Sequence, residues 1–415
     1  MKIAVVGSGI AGLTAAHLLS RKHDVILYEA DSRIGGHTHT HSIDDAGRRL
    51  NIDTGFIVFN HKTYPNFTKL LSMLGVESRE SSMSFSVRCE RTGLEYNGTS
   101  LATLFAKKRN AINLRFLGML MDIVRFNKES TEASESSLNG TLGEFLKSGG
   151  YSRYFRDYYI VPMGAAIWSA PPAAMLEFPL RFFVMFFRNH GMLSVNDRPV
   201  WRTVVGGSGS YISPMTERIL GNIRLNAPVT RIIRTDDHAV VECDAVGSRA
   251  ERFDHVVLAC HSDQSLAMLG DPTEAERSVL SALPYQENEA ILHTDSSVMP
   301  TRRTAWAAWN YHVLKTDSAR VPVTYSMNIL QGLPTQTQYM VTLNRSEAID
   351  SSKVIRRLRY HHPQYTLKGM QARKRWNTIS GVNRTHYCGA YWFNGFHEDG
   401  VNSALRVCEH FGEAL

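Results

Sequence analysis

The sequence of 415 residues contains no long hydrophobic run and few cysteines. No stretch reaches the roughly 18 to 20 consecutive apolar residues of a transmembrane helix, so we predict no membrane span. The cysteines are odd in number, widely spaced and never arranged as C-x-x-C, and they are Cys89, Cys243, Cys260, Cys388 and Cys408. This usage predicts a reducing compartment, with neither a disulfide framework nor a zinc site.

Several catalytic patterns are also missing. The sequence has no Ser-His-Asp order, no metal-ligand spacing and no Walker phosphate loop. Its net charge of +7 is moderate and spread along the chain. That charge suits an anionic cofactor or an anionic membrane surface and is too diffuse to predict nucleic-acid binding. The length suits two or three domains of roughly 150 residues each.

A glycine-rich motif opens the chain. Residues 2–6 are predicted to form a strand, Gly7, Gly9 and Gly12 a G-x-G-x-x-G turn, and residues 13–20 a helix. Gly7 permits the sharp turn, Gly9 lets the backbone approach a pyrophosphate, and Gly12 lets the helix pack tightly on the sheet. The helix N-terminus offers its N–H groups to phosphates, which predicts a dinucleotide site. A strand-to-helix turn without a ligand is the alternative.

Glu29 closes the next predicted strand, 24–28, and lies 17 positions past Gly12. A carboxylate there accepts hydrogen bonds from a ribose 2′-hydroxyl and repels a 2′-phosphate, which argues against NADP. Because the motif begins at residue 2, we expect no signal peptide. With the cysteine pattern, this predicts a cytoplasmic protein.

Further glycine-containing stretches complete the pattern. Residues 33–38 contain a glycine pair, residues 52–56 a D-x-G sequence, and residues 388–391 and 395–401 precede a helix at 404–411. Joined to the N-terminal motif, they resemble the FAD-binding head of the flavin amine oxidase and phytoene desaturase superfamily. The resemblance is strong at both ends of the chain and weak in the middle.

The resemblance implies FAD as the cofactor and a set of residues that contact it. One position departs from the family pattern, because His37 stands where the family commonly has arginine. The implied contacts are Gly7, Gly9, Ala11, Gly12, Glu29, Ala30, Arg33, Gly35, Gly36, His37, Asp53, Gly55, Phe56, Val229, Gly389, Glu398, Asp399, Gly400 and Val401. The same comparison suggests Phe396 and His397 as residues near the flavin, with His397 as an acid or base.

The expected fold is α/β, with a Rossmann-like FAD-binding domain and a mixed α+β substrate domain. The FAD-binding domain is predicted to be discontinuous, comprising 1–82, 201–268 and 381–415, with a turn at Gly247. The substrate domain comprises 83–200 and 269–380. Strand-like pieces at 289–294, 305–309, 323–328 and 338–343 are expected to form an antiparallel sheet, and the basic segment 353–360 is predicted to be helical.

Two segments suggest either core or membrane contact. Residues 111–126 are apolar on one helical face and follow Lys107, Lys108 and Arg109. Residues 180–187 carry four phenylalanines, flanked by Arg181 and Arg188. Such helices can lie in a bilayer interface, here at the inner face of the membrane. Packing in the core of the substrate domain is the more common role of aromatic runs at helical spacing.

The resemblance leaves three functions open. The first is an FAD-dependent dehydrogenase or desaturase that removes hydride from a small lipophilic substrate, such as a lipid acyl chain. The second is an amine oxidase, for which none of Lys315, Lys353 and Lys368 is well placed as the lysine that usually bonds to the flavin through water. The third is a non-catalytic lipid-binding protein of the same fold. The electron acceptor is open among oxygen, a quinone and a carrier protein.

Overall fold

A computed structural model describes residues 1–194, 199–245, 250–316 and 320–415. The strands are β1 (Lys2–Val6), β2 (Asp24–Tyr28), β3 (Thr40–Asp45), β4 (Arg48–Asp53), β5 (Phe59–Asn60), β6 (Ser78–Glu80), β7 (Phe85–Cys89), β8 (Glu95–Asn97), β9 (Trp201–Val204), β10 (Ile223–Arg224), β11 (Val229–Arg234), β12 (Ala239–Cys243), β13 (Glu251–Phe253), β14 (His255–Leu258), β15 (Tyr285–His293), β16 (Trp309–Val313), β17 (Val323–Ser326), β18 (Met340–Leu343), β19 (Val354–Pro363) and β20 (Thr385–Tyr387).

The α-helices connect and cover these strands. They are α1 (Ile10–Leu19), α2 (Pro65–Met73), α3 (Leu101–Leu104), α4 (Leu114–Glu132), α5 (Leu142–Ser148), α6 (Arg153–Phe155), α7 (Val161–Trp168), α8 (Pro172–Leu176), α9 (Leu180–Asn189), α10 (Ile212–Thr216), α11 (Ser262–Met268), α12 (Glu274–Leu280), α13 (Met327–Leu330), α14 (Leu367–Arg373) and α15 (His397–Cys408). Within the described ranges, no helix combines the length and the apolar character needed to cross a bilayer.

A parallel sheet carries the N-terminal motif at its centre. Its strand order is β10-β2-β1-β14-β20, and the pairs β1–β2, β1–β14, β10–β2 and β14–β20 are all parallel. Side chains of β1 alternate between the two faces, as the period of a strand requires. Ile3 and Val5 pack against α1 and α15, while Ala4 and Val6 pack against the antiparallel β11–β13 sheet. Burial on both faces explains the continuous apolar sequence of the central strands.

A second, mixed sheet forms the other half of the molecule. Its strand order is β19-β15-β18-β17-β16-β7-β8, and β16–β7 is its parallel pair. The helices between residues 101 and 189 share one large apolar core with this sheet. The two sheets confirm the predicted α/β class. The predicted domain boundaries stay predictions, and the turn expected at Gly247 lies outside the described residues.

Three local predictions of secondary structure were wrong. The helix expected at 404–411 begins at His397 and ends at Cys408, so residues 397–401 belong to the helix and do not precede it. The basic segment 353–360 is not an α-helix: Lys353 ends a 3₁₀ turn, and residues 354–360 lie in β19, which pairs antiparallel with β15. Leu358 and Tyr360 pack toward the core, while Arg357 and Arg359 are exposed, and this alternation fits a strand. The strand expected at 305–309 instead begins at Trp309, after a 3₁₀ turn that ends at Ala305.

The two apolar segments have different environments. In α9, Phe183, Phe186 and Phe187 are buried, so this helix belongs to the core. Its Arg188 donates to the carbonyl oxygens of Ser130 and Ala133. Helix α4 buries one face against the same core and exposes an apolar opposite face to solvent.

Candidate active site

A cavity of about 1000 Å³ lies between the two sheets. One end is formed by the turn after β1, the end of β2 and the loop at residues 36–37. The other end is formed by α7, α9 and strands of the second sheet. The N-terminus of α15 reaches the cavity between these two ends. The carboxyl edge of a parallel sheet is where ligands bind in open α/β folds, so this cavity is the candidate active site.

The first end is a cradle of backbone atoms. Gly9 precedes α1, and a methyl group built on it would have no protein atom within 4 Å. Gly36 has φ of +57°, and a methyl group built there would lie 3.0 Å from the Cα of Gly9. These two glycines therefore let two chain segments meet beside an open space. The first N–H groups of α1 have no partners within the helix, which suits an anionic ligand.

Glu29 lies at the edge of this cradle. Its carboxylate lines the cavity and accepts hydrogen bonds from the backbone N–H groups of Ser8 and Asp31, each at 2.9 Å. The Ser8 hydroxyl also donates to it. These bonds hold the carboxylate at the end of β2, where it can still accept from the hydroxyl groups of a ribose.

The other end of the cavity is aromatic and apolar. The Trp168 and Phe186 rings lie 4.8 Å apart between centroids, and Phe186 stacks on Phe396 at 4.9 Å. Further lining residues are Met83, Phe85, Tyr159, Met163, Ile167, His190, Met192, Trp309, Tyr325, Tyr360, His362 and Tyr365. Phe396 was suggested from the sequence, whereas most of the others were not singled out. Four consecutive residues of β19, Tyr360 to Pro363, line the cavity, so no alternating pattern in the sequence could have identified them.

Charge is nearly absent from the described lining. Glu29 is the one carboxylate among these residues, and none of them is lysine, arginine or aspartate. His190 stacks on Phe186 at 3.8 Å, and burial lowers the pKa of its imidazole to about 4. The described lining of the aromatic end therefore offers no carboxylate, lysine or arginine, although the buried Arg373 guanidinium lies 4.0 Å from the centroid of the Tyr365 ring behind it.

Comparison with known proteins supplies the family. The family model for flavin-containing amine oxidoreductases matches residues 10–343, which is most of the chain. The chain belongs to this family. Its members are flavin-dependent oxidoreductases, so the predicted superfamily, the enzyme class and the FAD cofactor are confirmed at the level of the family.

Individual relatives are similar over part of their length. An L-amino-acid oxidase of Siganus canaliculatus is 25% identical over 321 residues, covering 71% of this chain and 57% of that protein. A flavin-dependent L-tryptophan oxidase of Lentzea aerocolonigenes is 47% identical over 288 residues, covering 62% of this chain and 57% of that protein. The chain thus spans a little over half the length of these two curated relatives.

Solved structures share the fold at low sequence identity. Cyclohexylamine oxidase from Brevibacterium oxydans has a TM-score of 0.69 and 16% identity, with 99% of both chains covered. A fatty acid isomerase from P. acnes that produces CLA has a TM-score of 0.66 and 16% identity, covering 99% of this chain and 98% of that one. These likenesses establish the fold alone.

The cradle fits the ADP part of FAD. Of the residues that the resemblance implied, those that line the cavity are Gly7, Gly9, Ala11, Glu29, Ala30, Gly36, His37, Gly55, Phe56, Val229 and Gly389. The structure therefore brings together residues from the start, the middle and the end of the chain. The shape supports a pyrophosphate beside Gly9 and a ribose beside Glu29.

The remaining implied residues do not line the cavity. They are Gly12, Arg33, Gly35, Asp53, Glu398, Asp399, Gly400 and Val401. Each has a contact elsewhere that accounts for its position. A methyl group on Gly12 would lie 1.8 Å from the carbonyl oxygen of Gly7, and one on Gly400 would lie 2.5 Å from Ile10. These two glycines therefore set the close packing around α1.

Asp53 and Arg33 hold the loops that carry cavity residues. The Asp53 carboxylate is buried and accepts from the backbone and hydroxyl of Ser208 and from Gln331. Burial raises the pKa of the Asp53 carboxyl to about 6. The Arg33 guanidinium donates to the carbonyl oxygens of Gly36 and Thr38. Both side chains bond to protein rather than to the cavity.

Glu398 and Asp399 stabilise the N-terminus of α15. Glu398 accepts from the backbone N–H groups of Asn66 and Phe67, which ties α15 to α2. Asp399 accepts from the backbone N–H of Phe396, and burial raises the pKa of its carboxyl to about 7. The carboxyl groups thus order the helix end that faces the cavity.

His37 presents an unpaired nitrogen. The side chain lines the cavity and stacks on Tyr360 at 5.0 Å. Its Nε2 atom is buried and has no hydrogen-bond partner among the described residues. Burial lowers the pKa of the imidazole to about 4, so His37 is neutral where the family commonly has a charged arginine. A polar atom of FAD in the cavity would satisfy this nitrogen.

His397 is the first residue of α15 and is held on two sides. Its ring stacks on Phe56 at 3.6 Å, and its Nε2 lies 2.6 Å from the Tyr211 hydroxyl. That hydroxyl also contacts the Thr38 side chain. Burial lowers the pKa of His397 well below its ordinary value, so the imidazole is neutral. Its role as an acid or base stays a prediction.

Proposed function

We propose that the protein is an FAD-dependent dehydrogenase or desaturase that removes hydride from an uncharged, lipophilic part of its substrate. A lipid acyl chain is the substrate segment that we favour. The observation that carries the proposal is the uncharged aromatic and methionine lining of the cavity beyond Phe396. Acyl chains bind by burial of apolar surface and need no charged partner.

The chain's own residues would bind and orient the reacting groups and exclude water from them. When bound, FAD would supply the acceptor for the hydride. A proton must leave the neighbouring carbon for a double bond to form, and the neutral imidazole of His397 is the group that we propose to take it. Gly9, Gly36 and the N-terminus of α1 would hold its pyrophosphate, and Glu29 would hold a ribose. Phe396 and Phe186 would orient the substrate, and the surrounding rings would exclude water from it. Because burial keeps the imidazoles of His190 and His397 neutral, these two side chains place no charge beside the apolar segment of the substrate.

Oxidation of an amine is the second candidate, because the relatives include oxidases of amines and amino acids. A neutral amine is compatible with the same aromatic lining. An amino acid substrate requires a cation for its carboxylate, and the described lining offers neither lysine nor arginine. This observation favours the lipophilic substrate over an amino acid.

Anaerobic flavin reduction tests the proposal. The FAD-loaded protein is mixed with detergent-dispersed phospholipid, with free fatty acid, with a panel of primary amines and with amino acids, while the flavin absorbance is followed. We expect bleaching by an acyl-chain substrate. Bleaching by amines or amino acids alone would reject the lipid substrate.

Two further measurements separate the remaining alternatives. Purified protein that takes up no FAD would revive the non-catalytic lipid-binding role. Once a substrate reduces the flavin, adding oxygen, a quinone or a carrier protein to the reduced protein identifies the electron acceptor, which we leave open among these classes.

A further inference from the structure

The solvent face of α4 carries an apolar stripe. Leu114 is 82% exposed, Met121 75% and Val124 68%. Residues at this spacing share one face of a helix. Ile112, in the turn just before the helix, is 83% exposed. The opposite face of α4 packs into the core, so this helix is apolar on the side where a surface helix is ordinarily polar.

Basic side chains surround the beginning of this stripe. Residues 107–115 include Lys107, Lys108, Arg109 and Arg115 and contain no acidic residue. Lys107 lies 3.6 Å from Glu95, and Arg109 donates to the carbonyl oxygens of residues 92 and 93. Lys108 and Arg115 are exposed, and neither makes an ion pair with a residue that the structure describes. A local cluster of basic side chains thus lies beside exposed apolar side chains.

Acidic residues lie at the other end of the helix. Glu129 and Glu132 occupy the last turn of α4 and are exposed. Glu129 accepts a hydrogen bond from the Tyr151 hydroxyl, and Glu135 pairs with Arg181. The exposed Lys128 offsets part of this negative charge, but the C-terminal end of α4 stays acidic on balance, so the N-terminal end is the one directed toward an anionic partner.

We propose that the face formed by Ile112, Leu114, Met121 and Val124, with Lys108 and Arg115 beside it, docks on a bilayer that contains anionic lipids. The apolar side chains would enter the interface while the cations meet headgroup phosphates. A second copy of the chain is a poorer occupant. An antiparallel twofold dimer would set the basic end of each α4 against the acidic end of the other and leave no role for the excess of cations at Lys108 and Arg115, and the oligomeric state measured below is the outcome that distinguishes it. The proposal concerns this surface and does not depend on which substrate the cavity takes.

The docking face belongs to the layer that encloses the cavity. Phe126 of α4 lies 5.6 Å from Phe155, which lies 5.6 Å from Tyr159, each measured between ring centroids. Tyr159 lines the cavity. In a protein docked through α4, one layer of packed protein side chains would therefore separate the lipid from the aromatic end of the cavity.

Flotation with vesicles tests the proposal. The FAD-loaded full chain is mixed with vesicles of phosphatidylcholine alone, or of equal parts phosphatidylcholine and phosphatidylglycerol, and floated on a density gradient. We expect binding to the anionic vesicles that weakens as salt is raised. Leu114→Gln/Met121→Gln/Val124→Gln should lower the partition coefficient more than about tenfold. Lys108→Gln/Arg115→Gln should lower it about fivefold for each charge removed.

The matched control is Leu220→Gln. Leu220 is 66% exposed but lies in a different surface turn, so this variant should bind like the wild type. FAD content and melting temperature establish that each variant is folded. Failure of the wild type to bind anionic vesicles, or equal binding by the triple variant, would overturn the proposal. It would also be overturned by a dimer in sedimentation that the triple variant dissociates, because the face would then join two copies.

Discussion

Replacing Gly9 by alanine is expected to separate FAD binding from folding. A methyl group on Gly9 has no protein atom within 4 Å. The backbone there, with φ of −65° and ψ of 176°, is one that alanine adopts without strain. The apoprotein should therefore keep its stability, or gain about 0.4–1 kcal/mol because the unfolded chain is less flexible.

The same methyl group should weaken FAD binding. It would project into the open space beside Gly36, where we place the pyrophosphate. Overpacking by one methyl group costs about 1–3 kcal/mol, which corresponds to about 5- to 150-fold weaker binding. Titration of the apoprotein with FAD, followed by flavin fluorescence, measures the affinity, and thermal unfolding of the apoprotein measures the stability.

Gly12→Ala is the matched control for this experiment. Its methyl group would lie 1.8 Å from the carbonyl oxygen of Gly7, so the backbone must move. We expect this variant to lose both stability and FAD affinity. The reasoning is refuted if Gly9→Ala binds FAD as tightly as the wild type. It is refuted equally if Gly9→Ala destabilises the apoprotein as much as Gly12→Ala does.

Three other predictions concern buried polar groups. Burial raises the pKa of the Asp399 carboxyl in the folded protein to about 7. In the unfolded chain an aspartate has a pKa of roughly 3.9. Between these two pH values the folded state binds more protons than the unfolded state. Stability should therefore fall as the pH rises from about 4 to about 7, and Asp399→Asn should remove this contribution from melting curves; equal slopes would contradict it. His397→Gln should slow anaerobic flavin reduction about 100-fold if the imidazole transfers a proton, and an unchanged rate would reject that role. Arg234→Met should lower the free energy of unfolding by about 3–5 kcal/mol, because it leaves the Glu276 carboxylate without its bidentate partner. Arg234→Met/Glu276→Leu should recover part of this loss. Denaturant titrations measure both variants.

The cofactor end of the site was predictable because its signals are local. The glycines of the first turn and Glu29 lie within one strand–turn–helix–strand unit, where spacing alone fixes their positions. The sequence also placed Phe396 and His397 beside a glycine turn, and both line the cavity. Asp53 shows the limit of this reasoning. Its bonds to Ser208 and Gln331 join residues that are far apart in the sequence.

The substrate end was less predictable because it depends on distant pairing. Residues 353–360 have many arginines and were predicted to be helical, but β15, about 70 residues earlier, pairs with them as a strand. Tertiary pairing overrides the weak local preference of such a segment. The placement of Tyr360 and His362 in the cavity follows from that pairing. The apolar pattern of α4 predicted its buried face, while only the structure showed that its other face is apolar and exposed.

The interleaved order of the two sheets has a consequence for how the chain folds. The Ser86 hydroxyl of β7 donates to Asn310 of β16, 224 residues later, and the backbone N–H of Lys2, the first residue of β1, donates to Asp254, 252 residues later. Along the sequence, strands of each sheet therefore lie both before and after strands of the other sheet. Contacts at such separation must close long loops before they stabilise anything, which makes folding slow. We therefore expect the two halves of the molecule to form in one cooperative step, and neither half of the chain to fold when expressed alone.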